Sequence, residues 1–273
     1  MIPPFIENLF MATMDSCYRL IPQATPSLAQ LKNCKLVSHR GERDNITVFE
    51  NTLESLGKAV ENSIAGIEFD IRWTQDLVPI VFHDTNCQRI FNDDLVIGEV
   101  SFQKLREKFP LIPSFREVIE AFGKKSHLFI EIKKENFPEL EKQQSILKDH
   151  LQVLEEGTDF HVITLDPETL PIVNFLDSKT KGVVSDINFS KMASYAREHN
   201  LGGLLGHYLF LNNKFTKQFH ENKQFIATGY VNSKNLLFRE VNRGVDWIFS
   251  NDAIMINQIR KQAIELIESK QQY

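Results

Sequence analysis

Short apolar runs typical of buried strands recur along the chain, and longer amphipathic segments separate them. Strand-like runs cover residues 36–38, 66–71, 79–82, 128–132, 161–165, 182–185, 203–208, 225–231 and 247–249. Helix-like segments cover residues 50–61, 114–122, 139–154, 167–176, 191–198, 213–221, 233–242 and 254–269. Strands that alternate with helices favour a parallel sheet with helices outside it. About eight such units predict an α/β fold, a (β/α)8 TIM barrel.

The second and third strand-like runs do not fit a regular barrel. The link between residues 71 and 79 is too short for a crossover helix, which takes about 10–12 residues or more. We therefore expect the barrel to be irregular between its second and third strands, and one of the nine runs to be surplus. A hairpin near Gln75 and Asp76 would place His83 opposite Glu68, whereas two parallel strands would bring His83 to the barrel mouth.

The first 35 residues form an apolar, proline-containing preface. Positions 6, 9, 10, 14 and 18 share one helical face: Ile6, Leu9, Phe10, Met14 and Tyr18. Because this preface lacks basic residues before Arg19, the pattern favours a helix that covers the barrel floor over a membrane-surface helix. We expect a single domain over residues 1–273, with an N-terminal helical extension at 1–35 and a barrel core at 36–252.

Composition and charge exclude several classes of protein. The 273 residues are 42% hydrophobic and 25% charged, which excludes a disordered or fibrous chain. A net charge of −5, from 31 basic and 36 acidic residues, lacks the basic footprint of a nucleic-acid-binding protein. If the substrate is an anion, local cations must bind it, because the overall field opposes it.

Cysteine content and hydropathy indicate the cellular compartment in which the protein is located. Cys17, Cys34 and Cys87 are too few for a disulfide framework and are expected to be buried thiols. The chain shows no basic stretch typical of a secretory signal and no apolar run of about 20 residues that could span a membrane. We expect a cytoplasmic protein without a transmembrane segment; the sequence carries no indication of oligomeric state.

Four polar clusters end or follow predicted strands. They are Ser38-His39-Arg40-Gly41, Glu68-Phe69-Asp70-Ile71-Arg72, Phe82-His83-Asp84 and Glu131-Ile132-Lys133. In a barrel the carboxyl ends of the strands build the active site, so these clusters should converge on one mouth. Glu68 and Asp70 are two apart on a strand and point to the same face, as do Glu131 and Lys133. Carboxylates without a thiolate nearby suit a hard divalent cation, Ca²⁺ or Mg²⁺.

Each cluster alone has an ordinary structural interpretation. A Glu-x-Asp pair is usually a solvated face or an ion pair, and a His-Asp pair is usually a surface histidine with a satisfied hydrogen bond. All four clusters, however, flank apolar runs, and a buried strand has no local reason to end in charged residues unless a site uses them. The combination therefore predicts a functional site.

The order of these motifs is recognisable. His39-Arg40-Gly41, Glu50-Asn51-Thr52, Glu68-Phe69-Asp70, Thr74-Gln75-Asp76, His83-Asp84 and Glu131-Ile132-Lys133 follow one another along the chain. The set resembles the glycerophosphodiester phosphodiesterase family, a branch of the phospholipase-C-like TIM barrels. The resemblance covers about residues 36–252.

The resemblance implies a role for each matched residue. It implies catalytic histidines at His39 and His83, metal ligands at Glu68, Asp70 and Glu131, and phosphate-binding cations at Arg40 and Lys133. It also implies one divalent cation, Ca²⁺ or Mg²⁺, and hydrolysis of a small-molecule glycerophosphodiester to glycerol 3-phosphate and an alcohol. Attack by the glycerol 2-hydroxyl through a cyclic phosphate and direct attack by water both remain open. Asp84 either orients an imidazole or caps a turn, and the sequence favours a capping role for Thr52.

Three positions depart from the family pattern, and one segment is unusual. Gly229-Tyr230-Val231-Asn232 stands where the family has Trp-Thr-Val-Asn, so we expect an aromatic wall of the pocket to be missing. Leu77 replaces a glycine in the turn after Asp76, and Thr164-Leu165 replaces Ser-Phe. The segment 91–113 is long enough to act as a lid.

Two other functions remain as alternatives. One is a lysophospholipase-D-like or sphingomyelinase-D-like activity, which needs an apolar surface beside the mouth; Tyr208, Phe210 and Leu211 are candidates, although strand core is the favoured interpretation. The other is a catalytically inactive barrel that binds glycerophosphodiesters or a partner protein. The presence of both histidines with all three carboxylates argues against it, because a binding module has no use for an acid–base pair.

Overall fold

The computed structural model describes residue 14 and residues 16–271. Nine strands are present in this part of the chain: β1 Lys35–His39, β2 Gly66–Trp73, β3 Pro79–Val81, β4 His127–Ile132, β5 Phe160–Thr164, β6 Lys181–Ser185, β7 Gly203–His207, β8 Phe225–Gly229 and β9 Trp247–Ser250. After residue 27 it forms ten α-helices: α1 Leu28–Asn33, α2 Leu53–Glu61, α3 Gln88–Phe91, α4 Phe102–Lys108, α5 Phe115–Phe122, α6 Leu140–Leu151, α7 Phe189–Glu198, α8 Asn213–Glu221, α9 Lys234–Arg243 and α10 Ala253–Gln271.

Eight of the strands close into a parallel barrel, which confirms the predicted TIM-barrel fold. β1 pairs in parallel with both β2 and β9, and the remaining neighbours follow in the order β9-β8-β7-β6-β5-β4-β2. The surplus strand is β3, which pairs antiparallel with β2 and lies outside the barrel. The predicted irregularity is therefore a hairpin. Its register differs by one residue from the prediction, because Ile71 pairs with Val81, so His83 does not lie opposite Glu68.

The strands are buried on both faces, as expected of a parallel sheet covered by helices. Inside the barrel, an aromatic-rich cluster that includes Val37, Phe129, Leu205, Trp247 and Phe249 fills the lower part of the lumen. A larger apolar layer packs between the outer strand faces and the helices. Packing from both sides leaves the carboxyl ends of the strands as the place where polar side chains converge.

Local sequence signals explain where several helices begin. Thr52 is the N-cap of α2, and its hydroxyl accepts a hydrogen bond from the Ser55 N–H, as its capping interpretation predicted. The helix predicted at residues 167–176 is instead a 3₁₀-helix over Pro167–Val173. Pro171 lies inside it and has no N–H to donate, which disfavours a continuous α-helix there.

The segment between β3 and β4 packs beside the barrel mouth. It contains α3, a 3₁₀ turn at Ile97–Glu99 and α4, and an apolar cluster of its own joins it to β3. Phe91 stacks on Phe109 with ring centroids 4.8 Å apart. None of the residues 91–113 lines the cavity at the barrel mouth described below, so as placed this segment flanks the cavity and does not cover it.

The predicted extension is only partly described. Ile6, Leu9 and Phe10 lie outside the described residues, while residues 16–20 are helical. Tyr18 packs edge-on against Tyr208, with ring centroids 5.6 Å apart. Because Tyr208 directly follows the carboxyl end of β7, this contact is not at the barrel floor, where the helix was expected.

Two further expectations concern cysteines and membranes. Cys34 and Cys87 are buried, as expected, but Cys17 is exposed, so the prediction for that residue is wrong. Within residues 14 and 16–271, no helix combines the length and apolar character that crossing a membrane requires.

Candidate active site

The carboxyl end of β1 turns sharply into the mouth of the barrel. Arg40 follows the last residue of β1 with a φ of 60°, and Gly41 has a φ of 78°. The Arg40 N–H donates a hydrogen bond to the Glu68 carbonyl oxygen at 2.8 Å, which ties the turn to β2. A Cβ at Gly41 would lie 2.5 Å from the Ser55 carbonyl carbon, so only glycine fits against the start of α2. The backbone of this turn therefore requires glycine after Arg40, in addition to any chemical role of His39 and Arg40.

Three carboxylates from two adjacent strands meet in the barrel lumen. Glu68 and Asp70 lie on β2, and Glu131 lies opposite Asp70 in the β2–β4 register. All three side chains are buried, and one carboxylate oxygen from each lies within 4.8 Å of the others. The predicted set of metal ligands is therefore brought together.

Two cations contact these carboxylates. The Arg40 Nε lies 3.1 Å from Asp70 Oδ2, and the Lys133 Nζ lies 2.9 Å from Asp70 Oδ1. Lys133 also contacts the Glu131 carboxylate. Both cations line the cavity at the mouth, where they can share their charge between these carboxylates and an anion.

The charges of the cluster do not balance. Burial, together with the Asp70 and Glu131 carboxylates, raises the pKa of Glu68 well above its usual range. Burial opposes ionisation of Asp70 too, but Arg40 and Lys133 outweigh it and hold the pKa of Asp70 below its usual range. Three carboxyl groups therefore face two cations, and within residues 14 and 16–271 Glu68 forms no ion pair with a lysine or an arginine.

This donor set fits a divalent cation. The Glu68 Oε1 atom is buried and has no hydrogen-bond partner among the residues that the structure describes. Buried carboxylate oxygens need compensation, and oxygen-only ligands suit Ca²⁺ or Mg²⁺. A cation beside Glu68, Asp70 and Glu131 would supply the charge that this cluster lacks.

Hydrogen bonds hold both the ring and the backbone of His39. Its Nδ1 lies 2.7 Å from Asn251 Oδ1, immediately after β9, and its carbonyl oxygen accepts from Arg43. Arg43 Nη2 also donates to Asn251 Oδ1 at 2.8 Å. Because that oxygen can only accept, the Nδ1 carries the proton and Nε2 is free. This Nε2 lies 3.7 Å from Glu68 Oε2, so it faces the carboxylates.

His83 has an equivalent partner. Its Nδ1 lies 2.6 Å from Asp84 Oδ1, which supports the orienting role of Asp84 over turn capping. Arg89 on α3 joins Asp84 at 2.6 Å and Glu50 at 2.6 Å. Glu50 in turn accepts from Arg40 at 3.1 Å. A chain of charge-assisted contacts therefore joins one histidine to the predicted phosphate-binding arginine.

Burial keeps both imidazoles neutral. Burial and the nearby Arg40 charge lower the pKa of His39 to about 3. Burial also lowers the pKa of His83, against the opposing effect of the Asp70 carboxylate. Each imidazole then donates from Nδ1 and keeps a lone pair on Nε2, the form that can accept a proton.

A cavity of about 350 Å³ at the barrel mouth connects these groups. His39, Arg40, Glu68, His83, Glu131 and Lys133 form one side of it, while Asp70 lies buried behind them. Ile163, Leu165, Val184, Leu205 and Phe249 contribute apolar surface opposite. All seven predicted site residues thus belong to one assembly.

The aromatic wall expected to be missing is present one residue later. Tyr230 lines the cavity and lies against His207, with ring centroids 5.0 Å apart. Its φ of 66° turns the backbone so that the ring reaches this position. The expected loss of an aromatic wall is therefore wrong. The candidate apolar surface is part of the protein core in the turn after β7, because Tyr208 and Leu211 are buried and Phe210 packs on the core.

Three residues that support the site were not predicted from the sequence. Asn51 donates from Nδ2 to Asp70 Oδ2 at 2.8 Å, and its backbone has a φ of 58°. Glu50 joins Arg40 to the segment that contains α3. The Glu50-Asn51 pair was visible as a motif and was assigned no role, whereas Asn251 had no local signal at all.

Fold and site together define a TIM-barrel protein whose mouth carries two cationic side chains beside a carboxylate cluster suited to a divalent cation. The sequence profile of the Glycerophosphoryl diester phosphodiesterase family matches residues 39–255, and the chain belongs to that family. It is similar to a glycerophosphodiester phosphodiesterase of Bacillus subtilis (strain 168), with 23% identity over 82% of this chain and 86% of the relative.

Two further comparisons agree with this family. Glycerophosphodiester phosphodiesterase 1 of Bos taurus is 25% identical over 48% of this chain, and the match spans 45% of that protein's length. A solved phosphodiesterase of Oleispira antarctica, in complex with the product sn-glycerol-3-phosphate, aligns with a TM-score of 0.69 and 19% identity. That alignment covers 82% of this chain and 96% of the other. At this level of identity it supports the fold.

Proposed function

We propose that this protein hydrolyses glycerophosphodiesters to glycerol 3-phosphate and an alcohol. The observation that carries the proposal is the convergence of two neutral imidazoles, three buried carboxylates and two cations on one cavity of about 350 Å³. Membership of the family supports the same reaction. The cavity is of the size that small-molecule sites have, about 300–1,000 Å³.

Arg40 and Lys133 are proposed to bind the phosphate. A phosphodiester gathers negative charge on its non-bridging oxygens in the transition state, and charge-assisted donors stabilise that charge. Both side chains already lie between carboxylates, so their positions are fixed before the substrate binds. This arrangement avoids reorganisation during the reaction.

His39 and His83 are proposed to divide the proton transfers. One Nε2 removes the proton from the attacking hydroxyl or water. The other imidazole takes up a proton from solvent when the negative charge of the bound phosphate raises its pKa, and it delivers that proton to the leaving alkoxide. Asn251 and Asp84 orient the two rings through Nδ1. Fixed tautomers ensure that Nε2 is the atom that meets the substrate.

Glu68, Asp70 and Glu131 are proposed to hold one divalent cation, Ca²⁺ or Mg²⁺. When bound, such an ion supplies Lewis-acid stabilisation of the phosphoryl oxygens. The unpartnered Glu68 Oε1 and the unbalanced charge of the cluster support this proposal.

The direct test measures release of glycerol 3-phosphate from glycerophosphocholine, glycerophosphoethanolamine and glycerophosphoinositol. We expect His39→Ala and His83→Ala each to lower kcat by about 10²–10⁴-fold, the usual contribution of general acid–base catalysis. The control is His199→Ala, because His199 caps the end of α7 far from the cavity lining. Turnover that survives in both site variants would contradict the proposed roles.

Removal of metal is a separate test. Chelation should abolish turnover, and added Ca²⁺ or Mg²⁺ should restore it; whichever ion restores it identifies the preferred cation. Full activity after exhaustive chelation would contradict the metal proposal and leave the histidine roles to be judged by the variants.

A lysophospholipase-D-like activity is a second candidate. The apolar side of the cavity favours it, because Leu165 and Tyr230 line the cavity and are also partly solvent-exposed, at 37% and 54%. Head-group release from lysophosphatidylcholine, compared with glycerophosphocholine, separates the two substrates. The single-domain organisation and the cytoplasmic location stay predictions from the sequence.

A further inference from the structure

His83 lies beyond the hydrogen-bond ladder of the barrel. β3 ends at Val81, and the last bond of the hairpin runs from the Phe82 N–H to the Asp70 carbonyl oxygen, at 3.0 Å. His39, in contrast, is the last residue of a strand and pairs with Glu68. The backbone of His83 therefore needs another attachment if its imidazole is to face the cavity reproducibly.

Arg72 provides that attachment. It lies on β2, two residues beyond Asp70, and its side chain reaches across the hairpin. The Arg72 Nε donates to the His83 carbonyl oxygen at 2.7 Å. Arg72 is only 8% exposed, so solvent does not compete for this bond. The same strand thus carries two predicted metal ligands and the group that binds the backbone of a predicted catalytic histidine.

Stability alone does not account for an arginine at this position. Its acidic neighbour is Glu135, but the Nη1–Oε2 distance is 3.7 Å, too long for a hydrogen bond. A buried charge costs several kcal/mol unless its pairing is very good, and an apolar side chain of similar volume often stabilises a protein as well or better. The well-made contact of Arg72 is the one to His83.

We propose that Arg72 is a positioning residue, which holds the His83 backbone against β2 so that the imidazole Nε2 stays directed into the cavity. The inference rests on the proposed function of His83. Arg72 itself does not line the cavity, so it would not touch a substrate bound there. Its loss should therefore lower kcat and leave KM nearly unchanged, since a displacement of about 1 Å at a reacting group costs about 10²-fold in rate.

The test compares Arg72→Met with a matched arginine variant. Arg106→Met is the control, because Arg106 is also paired with a glutamate, Glu117, at 2.7 Å and donates to a backbone carbonyl, that of Ile112, at 3.2 Å. Arg106 lies on α4, away from the cavity lining. We expect Arg72→Met to lower kcat by about 10–100-fold, with KM within about twofold and an unchanged unfolding temperature. Arg106→Met should keep kcat.

A rescue experiment separates positioning from folding. The Arg72→Ala variant removes the guanidinium beside a second cavity lined by Trp73 and Glu135. Added ethylguanidinium should restore part of its kcat, and it should not restore that of His83→Ala. The inference would be overturned if ethylguanidinium restored no activity and if the kcat loss of Arg72→Ala matched the fraction of that variant that is unfolded.

The outcomes distinguish this inference from the function on which it rests. If His83→Ala keeps full turnover, the proposed role of His83 is wrong and Arg72 has nothing to position. If His83→Ala loses turnover while Arg72→Met keeps kcat within about twofold, only the inference is wrong. An equal loss in Arg106→Met would also overturn it, because a general effect of removing an arginine would then explain the result.

Discussion

Two histidines low in the barrel lumen should make the protein sensitive to mild acid. The His127 Nε2 lies 2.8 Å from the His161 Nδ1, and the His127 Nδ1 lies 2.8 Å from the Thr158 carbonyl oxygen. A carbonyl can only accept, so the His127 Nδ1 carries the proton and its Nε2 accepts from His161. Both rings pack against Phe129. The bond between the rings therefore requires that the His127 Nε2 carries no proton, and protonation of either ring would add a charge in poorly solvated surroundings.

Burial sets the size of the effect. Burial lowers the pKa of His127 from 6.5 to about 4, and burial with the neighbouring imidazole lowers the pKa of His161 from 6.5 to about 3. The unfolded chain therefore binds protons more readily than the folded one below pH 6.5, and stability falls as the pH falls from 6.5 towards 4. At 1.36 kcal/mol for each pH unit below 6.5, each imidazole costs about 2 kcal/mol at pH 5. The pair costs at most about 4 kcal/mol.

Urea unfolding at pH 7, 6 and 5 measures this loss. The control is a double variant, His127→Leu with His161→Phe, which cannot take up these two protons. We expect the wild-type protein to lose about 2–4 kcal/mol more free energy of unfolding than the double variant between pH 7 and pH 5. Other histidines titrate in both proteins and cancel in the difference. Equal slopes against pH in the two proteins would refute the reasoning.

Three further predictions concern the site. Glu68→Gln should raise the free energy of unfolding by roughly 1–3 kcal/mol in the presence of a chelator, because folding must otherwise protonate Glu68 or bury its charge beside two carboxylates. The same variant should abolish stabilisation by Ca²⁺ or Mg²⁺, and thermal unfolding with and without the ion checks both effects. Tyr230→Gly should relieve about 1 kcal/mol of left-handed backbone strain, which urea unfolding measures. It should also raise KM in steady-state kinetics, and an unchanged KM would argue against a contact between Tyr230 and the substrate. Asn251→Ala should lower kcat about tenfold or more, whereas Asn251→Asp keeps an acceptor for His39 and should lose less; equal losses would contradict the orienting role.

Strand-like runs were the most informative part of the sequence. All nine runs are strands, and eight of them are buried parallel strands, which need continuous apolar residues whichever strand they pair with. The short link between residues 71 and 79 also predicted an irregular barrel there, since chain length alone excludes a crossover helix. The sequence left a hairpin and parallel pairing open, and the structure has the hairpin. The register was one residue off, because the turn around Leu77, with a φ of 60°, adds a residue that periodicity does not show.

Long-range partners could not be predicted. Asn251 binds His39 across 212 residues of sequence, and no local pattern marks an asparagine after the last strand as its partner. The position of Tyr230 depends on one backbone angle, so a comparison of residue types suggested a missing ring where the structure has one. Residue types therefore indicated the chemistry of the site. The groups that orient its side chains could not be predicted, because only the closed barrel brings them together.

The contact between His39 and Asn251 has a consequence for the order in which the protein becomes active during synthesis. Of the two neighbours of β1, the strand β9 is synthesised more than 200 residues after β1 itself. Until residue 251 emerges, the nascent chain carries both histidines and all three carboxylates on a sheet that is open on one side, with the His39 ring unanchored. We therefore expect a nascent chain to remain inactive until β9 pairs with β1, and to hydrolyse substrate only after that pairing has closed the barrel.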